Sequence, residues 1–227
     1  MLYGYGDLLL KGFQLTLLVG ITSMALAIFF GLFGSWAKSV SSAYVRAAAN
    51  IYTTVFRGIP ELVLILLVYY GVPTLIQDFL AVMGSEVRIN FNPFISGVCT
   101  IGVIYGAFTT EVFRGAYMAV DKGQIEAARS LGMNRGLAFR RITLPQMWRF
   151  ALPGLGNVWM VLIKATALVS VIQLPELMRN ADIAAKATRK PFTFYFIASL
   201  IYLIITIASL IIQHKAESWA NRGVRRA

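Results

Sequence analysis

Cysteine and histidine are all but missing from the 227-residue chain, which holds one of each, Cys99 and His214. One cysteine excludes an internal disulfide. The spacings that mark zinc ligands need several Cys or His, so no metal site is expected. Charge is scarce as well, 14% of residues against about 25% in a soluble domain. Acid is scarcer than base, with 10 Asp+Glu against 21 Lys+Arg and a net charge of +11. No Gly-Lys dipeptide occurs, which excludes a phosphate-cradling loop ending in that pair and with it ATP use by this chain alone. What fills the chain instead is apolar: 58% hydrophobic residues and a mean hydropathy of +0.69. That balance excludes a disordered tail, a coiled coil and an ordinary soluble enzyme.

A bilayer core needs about 20 consecutive apolar residues in a helix. Five stretches meet that length or approach it: 13–36, 59–76, 93–112, 150–172 and 192–212. Runs this long and continuous read as helices, not barrel strands, because lipid leaves no partner for unpaired backbone groups. The first run is too long for the apolar region of a signal peptide and lacks a basic flank, so it is expected to be retained.

An odd number of spans puts the termini on opposite sides. One set of connections, 36–58, 112–149 and the tail after 212, carries fourteen Lys and Arg; the seven in 112–149 are Arg114, Lys122, Arg129, Arg135, Arg140, Arg141 and Arg149. The tail adds Lys215, Arg222, Arg225 and Arg226. The opposite side holds six: Lys11, Arg88, Arg179, Lys186, Arg189 and Lys190. Positive charge marks the cytoplasm, so the N-terminus is expected outside and the C-terminus inside. The basic excess is thereby topological, and nucleic acid is not expected as a partner because no aromatic-interleaved basic patch accompanies it.

Residues 121–145 read as two short helices. Ile125, Ala128 and Leu131 share one face, Gly132 suits a left-handed stop, Asn134 a cap and Pro145 the first turn of a further helix. Two readings of this built loop stay open: an amphipathic helix lying on lipid, or a docking surface whose small residues let a partner approach. The run Glu126-Ala127-Ala128, Gly132, Ile142, Leu144-Pro145 matches the EAA motif of ABC importer permeases without a break. Arg57-Gly58-Ile59-Pro60-Glu61, Glu111-Val112-Phe113-Arg114-Gly115-Ala116 and Ile163 to Ser170 also resemble polar amino-acid permeases. The chain is most similar to the Q-type permeases of histidine, lysine, arginine and ornithine importers. One departure is Ala165, which stands where such permeases often carry a polar residue. The resemblance implies that Gln124, Glu126, Ala127, Ala128, Gly132, Arg140 and Arg141 couple the chain to an ATPase.

Ionisable groups inside spans default to functional candidates, each with a structural rival. Glu111 with Arg114, and Arg57 with Glu61, stand three and four apart and can neutralise each other along one helix. Glu61 is also a candidate for the substrate pathway, where an acid suits a cationic amino acid. Lys164 has no acidic neighbour on its own helix, and helical rise separates it from Glu111 by roughly 18 Å. Two placements stay open: facing the pathway to meet a substrate carboxylate, or snorkelling toward Glu176. By the resemblance, Thr166 and Ser170 join the pathway candidates. Gly102 and Gly106 have the spacing of close helix contacts and offer weak support for a subunit interface.

The expectation is an all-α integral membrane bundle, a single type I (MetI-like) permease domain over residues 1–227 of a bacterial inner-membrane importer for polar, basic amino acids. The resemblance implies two copies of a cytoplasmic ATPase that bind ATP and Mg, a second permease or a second copy of this chain, and a periplasmic amino-acid-binding protein. No cofactor is expected on the chain itself. An ion-coupled carrier or channel, or a non-transporting membrane anchor, would need no ATPase.

Overall fold

A computed structural model describes residues 4–84 and 89–222. Arg88, Arg225 and Arg226, counted in the charge asymmetry, lie outside the described residues. The described residues form ten α-helices and no strand. Helix α1 runs over Gly6–Ser39 and α2 over Ala43–Gly58. The second apolar stretch is α3, Glu61–Leu66, and α4, Val72–Val82, joined by a π-helical turn over Leu67–Gly71. Next come α5, Pro93–Met118, and the short α6, Lys122–Ser130, and α7, Arg135–Ala138. A second π turn, Phe139–Thr143, leads into α8, Leu144–Ala165. The 3-10 turn Thr166–Ile172 follows, then α9, Leu177–Thr188, and α10, Pro191–Ala220. Five helical stretches are long and apolar enough to cross a membrane, in the order the sequence predicts.

Both π turns precede a proline. Pro73 and Pro145 have no N–H to close a bond four residues back, and the residue before each bonds one step further: Val72 N–H to Leu67, Leu144 N–H to Phe139. The helix axis continues through each turn, so α7, the π turn, α8 and the 3-10 turn make one helical stretch over Arg135–Ile172.

The centre of the bundle is the pairing of α1 with α5, which lie parallel. Leu26 meets Gly102, Phe30 meets Gly106, Gly31 meets Thr109 and Gly34 meets Thr110, so numbering rises together along both. The backbones approach so closely that a methyl group on Gly31 would stand 2.2 Å from the Thr109 hydroxyl oxygen. That hydroxyl donates to the Ala27 carbonyl at 2.5 Å. Gly102 and Gly106 are therefore filled from within the chain by Leu26, Phe30 and Tyr52. They are not free for the subunit contact that their spacing suggested.

The upper end of the bundle, at the α1 N-terminus, is closed by α9, whose Leu177 backbone lies against Gly12. The Asn180 side chain reaches the Leu8 carbonyl at 2.8 Å. Helix α10 descends along α9 and α8, with Phe194 and Ala198 buried near the top and Gln213 folded over Gly156 near the bottom. The termini consequently lie at opposite ends. Large apolar side chains such as Ile21, Phe29, Leu203 and Ile207 remain exposed on the outer faces, which is a lipid-facing pattern.

Candidate functional site

The polar side chains singled out from the sequence fall in three places. At the lower end, α6 and α7 lie against the bundle by one face and expose the other. Gly132 adopts φ +81° after α6, a left-handed conformation that a side chain resists. Asn134 caps α7 by accepting from the Leu137 N–H at 2.9 Å. The expected apolar face is split: Ala128 is buried and Ile125 packs inward, but Leu131 is 79% exposed. Gln124, Glu126, Ala127, Gly132, Arg140 and Arg141 are exposed, and Ala128 alone of the seven coupling candidates turns into the bundle. A hydrogen bond of 2.5 Å from the Gln146 side-chain amide to Gln124 ties α6 to α8.

The second place is a polar crevice where α2, α3 and α5 meet. Between α2 and α3 the chain is extended at Ile59 and Pro60, which rotates Arg57 and Glu61 out of helical register. The expected four-apart ion pair therefore does not form. Glu61 instead accepts from the Tyr105 hydroxyl at 3.1 Å, and the Arg57 guanidinium lies 5.3 Å from the centre of the Phe108 ring. The expected Glu111–Arg114 pair is replaced by a contact between helices: Lys38 donates to Glu111 at 2.5 Å and to Thr53 at 2.7 Å. A cavity of about 390 Å³ extends from Lys38 and Glu111 to Arg57, and one of about 300 Å³ continues from Arg57 to Glu61.

The third place lies at the upper end. Lys164 is exposed and opens onto a groove of about 290 Å³ bordered by Met178, Tyr195, Ser199 and Tyr202. It makes no ion pair with Glu176, which is fully buried and already engaged. The Glu176 carboxylate caps α9 by accepting from the Met178 and Arg179 N–H groups at 2.9 and 2.7 Å. It also accepts from the Tyr202 and Thr16 hydroxyls at 3.2 and 3.3 Å. Burial pushes its carboxyl up to about 7, against the four hydrogen bonds that favour the charge. Nearby, Lys186 donates to Asp182 at 2.8 Å and holds that carboxyl below its ordinary value. Thr166 is buried and spends its hydroxyl on the Ile163 carbonyl at 2.7 Å, and Ser170 is half-buried. The four pathway candidates do not converge: Glu61 borders one crevice and Lys164 another groove.

Sequence reading passed over Tyr105, Phe108, Lys38, Thr16 and Tyr202 because each acts through a partner far along the chain. The signal available was weak: a lysine closing the first apolar run, and hydroxyls within apolar runs that need partners when buried.

The family described as "Binding-protein-dependent transport system inner membrane component" matches residues 13–219. The histidine/lysine/arginine/ornithine transport system permease HisQ of Escherichia coli is 42% identical, over 100% of this chain and 99% of HisQ. The nopaline permease NocQ of Agrobacterium fabrum is 46% identical over 98% of this chain and 94% of its own length. The octopine permease OccQ of Rhizobium radiobacter is 43% identical over the same shares. Among solved structures, a crystal structure of an amino acid ABC transporter with histidines superposes with a TM-score of 0.82 at 34% identity, covering 94% of each chain. The MetNI methionine transporter, at 15% identity and a TM-score of 0.73, shares the fold.

Proposed function

Because the chain belongs to the family of binding-protein-dependent transport system inner membrane components, as the permease subunit of an amino-acid ABC importer, we propose that its substrate is a basic amino acid. Arginine, ornithine, lysine or histidine is carried from periplasm to cytoplasm, and the substrates for which HisQ is named support this class. The N-terminus is periplasmic and the C-terminus cytoplasmic in the inner membrane. The lower end, richer in Lys and Arg, is then the cytoplasmic one.

ATP is bound with Mg and hydrolysed on two separate cytoplasmic ATPases, and this chain holds no cofactor. A second permease, or a second copy of this chain, completes the pathway, and a periplasmic binding protein delivers the amino acid. One observation carries the coupling: α6 rests on the bundle through Ile125 and Ala128 while Gln124, Glu126, Gly132, Arg140 and Arg141 stay exposed, and α7 runs without a break into α8. A push on this segment therefore moves α8 as a rod and displaces Lys164 and the 3-10 turn at its far end. Lys164 meets the substrate carboxylate and Glu61 the cationic side chain at separate points of the passage, since they border different cavities, with Thr166 and Ser170 along the path.

The test is uptake into proteoliposomes holding the permease, ATPase and binding protein. ATP-dependent accumulation of labelled arginine, ornithine, lysine or histidine is expected. Accumulation driven by an ion gradient without ATP would instead establish a carrier.

A further inference from the structure

Arg57 is a cation among carboxylates: its charge reaches Glu111, but it is in ion-pair contact with neither carboxylate. It lines the same cavity as Glu111 and the same cavity as Glu61, yet it forms an ion pair with no described residue. Glu111 is already neutralised by Lys38, whose side chain is 5% exposed. Among the described residues Glu61 has the Tyr105 hydroxyl as its one hydrogen-bond partner, a neutral donor. At membrane depth a carboxylate without a cation is costly and calls for a partner. The face of Phe108 completes the arrangement, since an aromatic ring attracts a guanidinium or ammonium through its quadrupole. Phe108 borders both cavities, and Arg57 occupies its face.

We propose that Glu61, Tyr105 and Phe108 form a binding site for the cationic side chain of the substrate, and that Arg57 is a tethered competitor occupying the ring when the site is empty. This rests on the basic amino-acid reading above and adds to it a residue that opposes binding. Two cations on one ring repel, so an incoming guanidinium or ammonium displaces Arg57. Arg57 is the penultimate residue of α2, just before the extended Ile59–Pro60, so its side chain can change rotamer at the helix end without unwinding α2 or α3. The cavities, about 300 and 390 Å³, have the size of small-molecule sites. They adjoin through Arg57, Gly58 and Phe108, so the displaced guanidinium can turn toward Glu111. The site thus closes on its own cation and opens to a foreign one, and a neutral side chain of equal shape lacks the charge to displace Arg57.

The test compares labelled arginine with labelled citrulline, its neutral near-isostere, binding to the detergent-solubilised permease–ATPase complex without binding protein. The wild-type complex is expected to favour arginine. Glu61→Gln should shrink the arginine-to-citrulline affinity ratio at least tenfold, and Phe108→Leu should lower it in the same direction. Arg57→Gln should tighten arginine severalfold. An unchanged ratio in Glu61→Gln, or weaker arginine binding in folded Arg57→Gln, overturns this site while leaving the basic amino-acid reading intact. Failure of the wild-type complex to bind arginine, lysine, ornithine or histidine overturns both.

Discussion

Lys38 of α1 and Glu111 of α5 lie 73 positions apart in the chain and pair at 2.5 Å, with the lysine side chain almost wholly enclosed. The Thr53 hydroxyl of α2 accepts from the same ammonium. Three helices thus meet on one cation at the lower end of the bundle. Above it α1 and α5 are joined by glycine–threonine and glycine–phenylalanine contacts that carry no charge. Apolar packing holds the two helices together, and the ion pair fixes their register, because a shift of one residue would strand a buried ammonium.

Removing one partner should therefore cost more than removing both. Lys38→Met leaves a carboxylate in the crevice, and Glu111→Leu leaves an enclosed ammonium; each single variant is expected to lose about 2 kcal/mol or more. Glu111 remains partly exposed, which keeps the loss toward the low end for Lys38→Met. The double variant should recover part of that stability. Melting temperatures of the four proteins in detergent check this, and additive losses would mean that the two residues do not act as a pair.

The five apolar stretches and their order were legible because lipid demands long uninterrupted apolar runs, a one-dimensional signal. So were the stop at Gly132 and the cap at Asn134, which depend on a few neighbouring residues. The partners of Glu61, Glu111 and Lys164 were not legible. Local spacing pointed to Arg57 and Arg114 as neutralising groups, and nothing local reveals that the break at Ile59–Pro60 takes Arg57 out of register or that Lys38 arrives from another helix. The same limit hid the use of Gly102 and Gly106: small-residue spacing announces a close approach but not whether the approaching helix is one's own. Helix α9 was missed because its length and mixed polarity resemble a loop, and its cap is Glu176, an uncommon capping residue.

Lys164 is expected to matter for transport and not for folding. It projects into a groove with Tyr195 and Tyr202 and neutralises no described carboxylate, so its loss leaves no buried charge behind. Lys164→Ala should lower ATP-driven uptake at least tenfold with little change in melting temperature, and Lys164→Arg should retain part of the activity. Full uptake in the alanine variant would end its role in the pathway.

Gly132→Asp should uncouple the protein from its ATPase. At φ +81° a side chain is disfavoured, aspartate less than most, and the aspartate adds an acid to an exposed basic surface. Copurification of the ATPase should weaken and substrate-stimulated hydrolysis should fall, with the spans still inserted. Normal transport by this variant would remove α6 and its stop from the coupling account.

Stability is expected to fall as pH rises through the titration of Glu176. Its carboxyl is moved from an ordinary 4.5 to about 7 by burial, so between those values the folded chain holds a proton that the unfolded chain has released. Stability from this group is complete below about 4.5, declines as pH rises through about 7, and is then constant. The shift corresponds to about 3 kcal/mol, enough to move the melting temperature of a chain this size by several degrees. Glu176→Gln keeps an acceptor for the α9 N–H groups and cannot ionise, so its melting temperature should be flatter between pH 5 and 8. The wild-type curve should cross it, losing stability on the alkaline side. A wild-type protein that gains stability over that interval would show that the four donors, Met178, Arg179, Tyr202 and Thr16, outweigh burial and hold the carboxylate ionised.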